Sequence, residues 1–231
     1  MPVPIGVMML ETGFRRLPGD VGHPQSYPCP TLRRVVPGAD VRAVVDRGAA
    51  GLVDAFVACG EALIAEGARA LTTSCGFLVL HQAELARRLP VPVMTSSLLL
   101  GPGAPGPVGV LTFDAAALTP AHLAAAGLSA DTPVEGLPPG GPVARWLRED
   151  QTDPDVAVLE ADVVAAARQL IARHPDLQTI VLECTNLPPF RAAVAAATGA
   201  EIRDIGDVVR ELARWPPWCP SPRLRGEGRY A

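Results

Sequence analysis

The sequence predicts an α/β protein built as two similar lobes, on three observations. Short apolar runs alternate with helical patterns along the chain, which is the pattern of parallel sheets covered by helices. Two junctions share one form: Leu71-Thr72-Thr73-Ser74-Cys75-Gly76-Phe77 leaves a strand and opens a helix, and Leu182-Glu183-Cys184-Thr185-Asn186-Leu187-Pro188 does the same. A Gly/Pro cluster at 101–107 lies between them and reads as a domain crossing.

The elements follow in order. Ile5 to Leu10 is a continuous apolar run and forms the first strand. It empties into a long Gly/Pro-rich loop over 11–38, a length that marks a lid or binding loop. Leu52, Ala55, Phe56, Cys59 and Leu63 stand at helical spacing within 41–66, and Gly67 closes that helix. Ala68 to Ser74 is the next strand, followed by a helix over 77–89 and a short strand at 91–94. Val108 to Phe113 opens the second half, with a short helix over 120–126 and a Pro/Gly-rich loop at 131–142. The long helix over 155–173 places Val156, Leu159, Val163, Ala167 and Leu170 on one face and stops before His174-Pro175. A strand at 179–183 delivers Cys184, a helix over 188–198 ends at Gly199, and a strand at 202–205 with a helix over 207–214 precedes a Pro/Arg/Gly-rich tail.

Composition narrows the chemistry. The 231 residues carry a net charge of −4, with 48% hydrophobic and 4% aromatic residues. Every one of the 20 basic residues is arginine. Without lysine there is no Schiff base to pyridoxal phosphate and no Walker-type phosphate loop. The acidic balance and the lack of a basic stripe argue against nucleic acid, and the Arg-rich tail at 223–229 is too short to supply one. No apolar run approaches the ~18 residues of a membrane span, and no signal peptide opens the chain, so a cytoplasmic protein that does not bind membranes is expected. Five cysteines at wide spacing, with no CxxC pair or Cys/His cluster, predict neither structural disulfides nor a metal site.

Two of these cysteines stand where ligands collect, at the carboxyl ends of strands that open helices. There, N–H groups and the helix dipole favour thiolates over the usual pKa of ~8.5. Cys59 lies on an apolar helix stripe and reads as core, and Cys29 and Cys219 sit in proline-rich segments. Two thiols across a cleft suit removal of a proton from one face of a carbon acid and delivery to the other, with no cofactor. The N–H groups after each cysteine would hold a carboxylate and the developing charge. Arg15 and Arg16 follow the first strand and are candidates for binding a substrate carboxylate.

The segments Thr73-Ser74-Cys75-Gly76-Phe77 and Glu183-Cys184-Thr185-Asn186-Leu187-Pro188 resemble the paired cysteine motifs of the aspartate/glutamate/hydantoin racemase superfamily. Ile5 to Gly22, with Met9-Leu10-Glu11-Thr12 and Pro18-Gly19-Asp20-Val21-Gly22, is similar to one branch of it. The resemblance implies two pseudo-symmetric Rossmann-like lobes with the active site in the cleft between them. Residues 1–97 with 200–231 would form the lobe carrying Cys75, and 98–199 the lobe carrying Cys184. It further implies Cys75 and Cys184 as acid/base thiols, substrate contacts at Ser74, Gly76, Phe77, Thr112, Thr185 and Asn186, no cofactor, and a homodimer. Glutamate racemases have Asp-Ser-Gly after the first strand and a His after the second cysteine. This chain has Glu11-Thr12-Gly13 and Asn186, which leaves Glu11 to orient or deprotonate a thiol and points away from glutamate as substrate.

The expected activity is therefore a cofactor-independent racemase or epimerase of a small carboxylate or hydantoin-like carbon acid. The alternatives are a maleate isomerase-like or arylmalonate decarboxylase-like enzyme of the same fold, or a two-lobed binding or thiol-redox protein with a Cys75–Cys184 disulfide. Gly101-x-Gly103-x-x-Gly106 matches the dinucleotide fingerprint but precedes a strand and contains Pro102 and Pro105, so it reads as a turn. His23, His81, His122 and His174 have no partner motif, and Ser74 and Ser96 lack the Gly-x-Ser-x-Gly elbow.

Overall fold

In the computed structural model, which describes residues 3–215, two all-parallel sheets each gather their strands around a fully buried centre. The first has the order β2-β1-β3, where β1 is Ile5–Met9, β2 is Thr31–Val35 and β3 is Ala70–Thr73. Every residue of β1 and β3 is buried, which is why both read as unbroken apolar runs. The second sheet has the order β5-β4-β6-β7, with β4 Val108–Thr112, β5 Val134–Gly136, β6 Thr179–Leu182 and β7 Glu201–Arg203. Strands β2-β1-β3 and β5-β4-β6 repeat one topology, and β7 extends the second sheet.

Between the strands run α1 (Val53–Ala65), α2 (Gln82–Arg88), α3 (Pro120–Ala125), α4 (Pro142–Arg148), α5 (Val156–Arg173), α6 (Arg191–Thr198) and α7 (Ile205–Ala213). Asp155 caps α5, its carboxylate accepting from Ala157 N at 3.0 Å, and the helix buries Leu159, Val163, Ala166, Ala167 and Leu170. Gly199, at φ 69°, ends α6 in the left-handed conformation that suits glycine. Ile205, Val208, Val209 and Leu212 of α7 pack with Ile5, Val7 and Ala70 on the first sheet. The chain thus returns to the first lobe at Asp204, after β7, where the sequence placed the return at residue 200. The tail from 216 onward, with Cys219 and the arginines at 223–229, lies outside the described residues.

Four other elements differ from expectation. The 11–38 loop contains β2, an edge strand whose side chains are half-buried or exposed. Residues 41–66 divide into a π-helical turn at Arg42–Asp46 and α1, separated by Gly48, Ala49 and Gly51, all at positive φ. The segment 91–94 makes a single bridge, Val93 to Leu71. Strand β5 forms within the 131–142 loop, and α4 begins where that loop ends. Among the described residues no helix is long and apolar enough to cross a membrane.

Candidate active site

β3 and β6 end side by side at the boundary between the lobes, and each hands its chain to a turn that starts with a cysteine. After β3, Cys75 is extended (φ −153°, ψ 119°) and a 3-10 turn begins at Gly76. After β6, Cys184 is followed by Thr185 and Asn186 and a 3-10 turn at Pro188–Phe190. The two segments are tied together directly by Thr185 Oγ1, which donates to Ser74 O at 2.7 Å, and the turn that follows at Ser97 is tied to β6, with Ser97 Oγ donating to Leu182 O at 2.7 Å. Ser74 Oγ also accepts from Leu10 N at 2.8 Å, fixing the end of β1.

These segments form the floor of a cavity of about 410 Å³, counting its mouth. Ser74, Cys75, Gly76 and Phe77 line one side and Glu183, Cys184, Thr185 and Asn186 the other. Phe14, Val41, Val45, Phe113 and Leu147 provide apolar walls, and Thr12 and Arg16 reach in from the loop after β1. That loop is fastened to the second lobe, with Gly13 N donating to Asp150 Oδ1 at 3.0 Å and Arg15 N to Gln151 O at 3.2 Å. These two bonds hold the first part of the loop against the second lobe, so that Thr12, Phe14 and Arg16 form part of the cavity lining.

Both thiols are free, Cys184 buried and Cys75 less so. Burial pushes both well above the ordinary thiol range, and the neighbouring Glu183 carboxylate pushes them further. The backbone N–H of Phe77 opposes this at Cys75, as that of Asn186 does at Cys184. The same i to i+2 relation thus recurs in the two lobes.

Glu183 is the charged group that the strand pattern does not announce. Its side chain is 0% exposed at the end of a buried strand. Oε2 accepts a 2.7 Å hydrogen bond from Thr112 Oγ1, and Oε1 has no partner. Burial raises its pKa from 4.5 to about 7, with the Thr112 bond pulling the other way. A carboxyl group that changes charge near neutrality therefore lies next to both thiols.

A second polar chain approaches Cys184 from the opposite side. Its Sγ–H donates to Asn186 Oδ1 at 3.6 Å, and Asn186 Nδ2 donates to Asp20 Oδ2. Asp20 is fully buried and also accepts from Gly22 N at 2.6 Å and from Arg16 Nη1 at 2.9 Å. Arg16 donates to Thr12 Oγ1 at 3.0 Å and lies over the Phe14 ring at 4.8 Å. With five N–H groups available, the guanidinium keeps donors for a ligand in the cavity.

Of the residues expected at the site, Cys75, Cys184, Ser74, Gly76, Phe77, Thr185 and Asn186 line the cavity together. Thr112 does not line it; it holds Glu183 from behind. Glu11 is exposed and turned away, its Oε2 accepting from Gly38 N at 3.0 Å, so it neither orients nor deprotonates a thiol here. Arg16 enters the cavity, whereas Arg15 faces Asp153 on the surface at 3.6 Å. Asp20 and Glu183 were in view in the sequence without an assigned task. Their signals were a carboxylate ending an apolar strand just before a cysteine, and an Asp between two glycines. Among the described residues no group of three His, Cys, Asp or Glu side chains is placed to hold a metal.

The arrangement is that of a two-lobed α/β protein with the fold of the aspartate/glutamate/hydantoin racemase superfamily. A liganded, cysteine-substituted arylmalonate decarboxylase superposes with a TM-score of 0.64 at 17% identity, covering 93% of each chain. Unliganded arylmalonate decarboxylase gives 0.58 at 15% identity over 93% of this chain and 94% of that one. Glutamate racemase from Thermus thermophilus gives 0.51 at 21% identity over 92% and 80%. No family model matches the chain. In sequence it is 32% identical over 213 residues to a dimethylsulfoniopropionate lyase of Durusdinium sp. clade D, across 87% of this chain and 70% of that protein. The chain belongs to the family of that lyase. Dimethylsulfoniopropionate lyase 7 of Emiliania huxleyi (strain CCMP1516) is 28% identical over 222 residues, and lyase 5 is 26% identical over 217 residues. Each of these matches spans 87% of this chain, and they cover 63% and 43% of the two Emiliania proteins.

Proposed function

We propose that this chain is a cofactor-independent lyase that removes the α proton of a small carboxylate and expels a leaving group from its β carbon. The observation that carries this reading is the pair of thiols, Cys75 and Cys184, on the floor of a mostly apolar cavity that also admits one guanidinium, Arg16. The family relationship supplies dimethylsulfoniopropionate as the substrate to test. It supports elimination over the racemisation expected from the sequence.

In this reaction Arg16 binds the carboxylate. A cavity thiolate takes the Cα proton, that bond's electron pair becomes the Cα=Cβ double bond, and the Cβ–S bond breaks to release dimethyl sulfide and acrylate. The amide groups that follow each cysteine face charge developing on the carboxylate. Phe14, Phe77 and Phe113 line the cavity and keep water from the charge that develops at Cα.

The test is release of dimethyl sulfide from dimethylsulfoniopropionate, followed by gas chromatography, with loss of release in the Cys75→Ser/Cys184→Ser double variant. Absence of release by the wild-type chain would reject elimination. The similarity in fold to arylmalonate decarboxylase, together with the apolar walls, favours decarboxylation of 2-arylmalonates as the second reading. Carbon dioxide release from phenylmalonate tests it in parallel, and α-proton exchange in deuterated water tests racemisation.

A further inference from the structure

Resting on that reading, we infer that the two thiols have fixed and different roles: Glu183 receives the proton of Cys75 and makes it the base, while Asn186 holds Cys184 as a neutral thiol. The cavity is thus asymmetric in charge although its two halves repeat one backbone plan.

The geometry at Cys75 carries the first half. Glu183 Oε1 is buried, unpartnered and packed against the Gly76 backbone, the residue directly after Cys75. Oε2 is held by Thr112 at 2.7 Å, so the carboxyl group is fixed with its open oxygen toward the Cys75–Gly76 segment. Cys75 is the more exposed thiol, in the same cavity wall. Three acids packed together out of water, Cys75, Cys184 and Glu183, favour a single negative charge among them, because a second would repel the first at low dielectric. Moving a proton from Cys75 to Glu183 moves that charge without adding to it.

The geometry at Cys184 carries the second half. Asp20 as a carboxylate only accepts, so the Asn186 group facing it must be the NH2. That orientation leaves Oδ1 toward Cys184, and a carbonyl oxygen accepts from S–H and repels S⁻. Arg16 and the Gly22 N–H hold Asp20 in place, so the amide does not turn.

The cycle then balances. Glu183 carboxylate takes the Cys75 proton, giving a carboxylic acid and a thiolate. The thiolate removes the Cα proton and becomes a thiol as the leaving group departs with its electron pair. Glu183 then loses its proton to solvent, the one proton that elimination of a neutral sulfide from a sulfonium carboxylate sets free. The groups facing Glu183 are the Thr112 hydroxyl from β4, the Cys75 thiol from the turn after β3 and the Cys184 thiol that follows it. Asp20 and Arg16 are the charges nearest to these thiols on the loop side.

Alkylation of the full chain by iodoacetamide, site by site with mass spectrometry, tests this without any substrate. Cys75 is expected to react at least ~10-fold faster than Cys184, with a rise centred near pH 7 and a plateau above it. In Glu183→Gln the plateau disappears and the Cys75 rate keeps rising with pH through about 7–9, because the competing charge that raised the thiol is gone. Should Glu183→Gln fail to fold by near-UV circular dichroism, Thr112→Val decides. Losing the hydrogen bond to the carboxylate moves the rise to higher pH by about half a unit or more, and Thr112→Ser restores it. Faster reaction at Cys184, or an unchanged profile in Glu183→Gln or in Thr112→Val, overturns the inference. Dimethyl sulfide release, read separately, rules on the reaction itself: unequal thiols without release would retain the inference and reject the lyase.

Discussion

The Gly76 backbone and the Glu183 side chain share one small space, which stays open only because residue 76 has no side chain. A Cβ there would stand 2.5 Å from the Glu183 carbonyl oxygen and closer still to Oε1. Gly76→Ala is therefore expected to displace Glu183 from Thr112 and to cost about 1–3 kcal/mol by overpacking. Urea unfolding measures the loss, and stability unchanged within error would mean that the turn moves aside freely.

Proton uptake by Glu183 couples folding to pH. Its pKa stands at about 7 in the fold against an ordinary 4.5, so between these values the folded chain holds a proton that the unfolded chain has released. The contribution is complete below pH 4.5 and declines as pH rises toward 7, by on the order of 3 kcal/mol in total. Urea midpoints taken from pH 4.5 to 7.5 should fall across this window in the wild type, and this component should vanish in Glu183→Gln.

Arg16 is expected to govern substrate binding more than the chemical step. Arg16→Lys keeps the charge but replaces the planar fork that reaches Asp20 and Thr12 together. The KM for dimethylsulfoniopropionate should rise by ~10-fold or more, about 1.4 kcal/mol, with a smaller change in kcat. An unaltered KM would place the carboxylate elsewhere.

Asp20 is the structural counterpart of that cation. Asp20→Ala leaves a largely buried guanidinium without its partner and frees the Asn186 amide, a loss on the order of 3–5 kcal/mol. Thermal unfolding should show it as a marked drop in Tm, whereas removing an exposed partner such as Asp153 of Arg15 should change Tm little.

If the thiols divide their roles, elimination requires only the base. Cys75→Ser should lower dimethyl sulfide release by at least ~1000-fold, while Cys184→Ser retains it within ~10-fold. Equal losses in the two variants would point to a symmetric pair.

The parts of this fold that were legible in the sequence are those where burial on both faces writes itself as an apolar run. β1, β3, β4 and β6 are such strands, and the two that end in cysteines placed the thiols correctly. Strand β2 was hidden because an edge strand keeps one side wet, so Thr31-Leu32-Arg33-Arg34-Val35 looks like loop. The three residues of β5 are too few for any period to show. At the site, a carboxylate after an apolar strand looks like the strand's solvent end. Only the packing of Gly76 and Thr112 around it shows that Glu183 is inside. Glu11 is the converse case: it follows β1 as a site acid would, but the chain turns there and its Oε2 accepts from Gly38 N.

The late return of the chain to its first lobe has a consequence for biosynthesis. Helix α7 covers β1 and β3, yet it is translated after all of β4 to β7. As the polypeptide leaves the ribosome, the second sheet is complete while one face of the first still lacks its helix. Apolar surface on Ile5, Val7 and Ala70 must wait for residues 205–213, which makes the amino-terminal half the later one to finish and the one in greater need of chaperone cover.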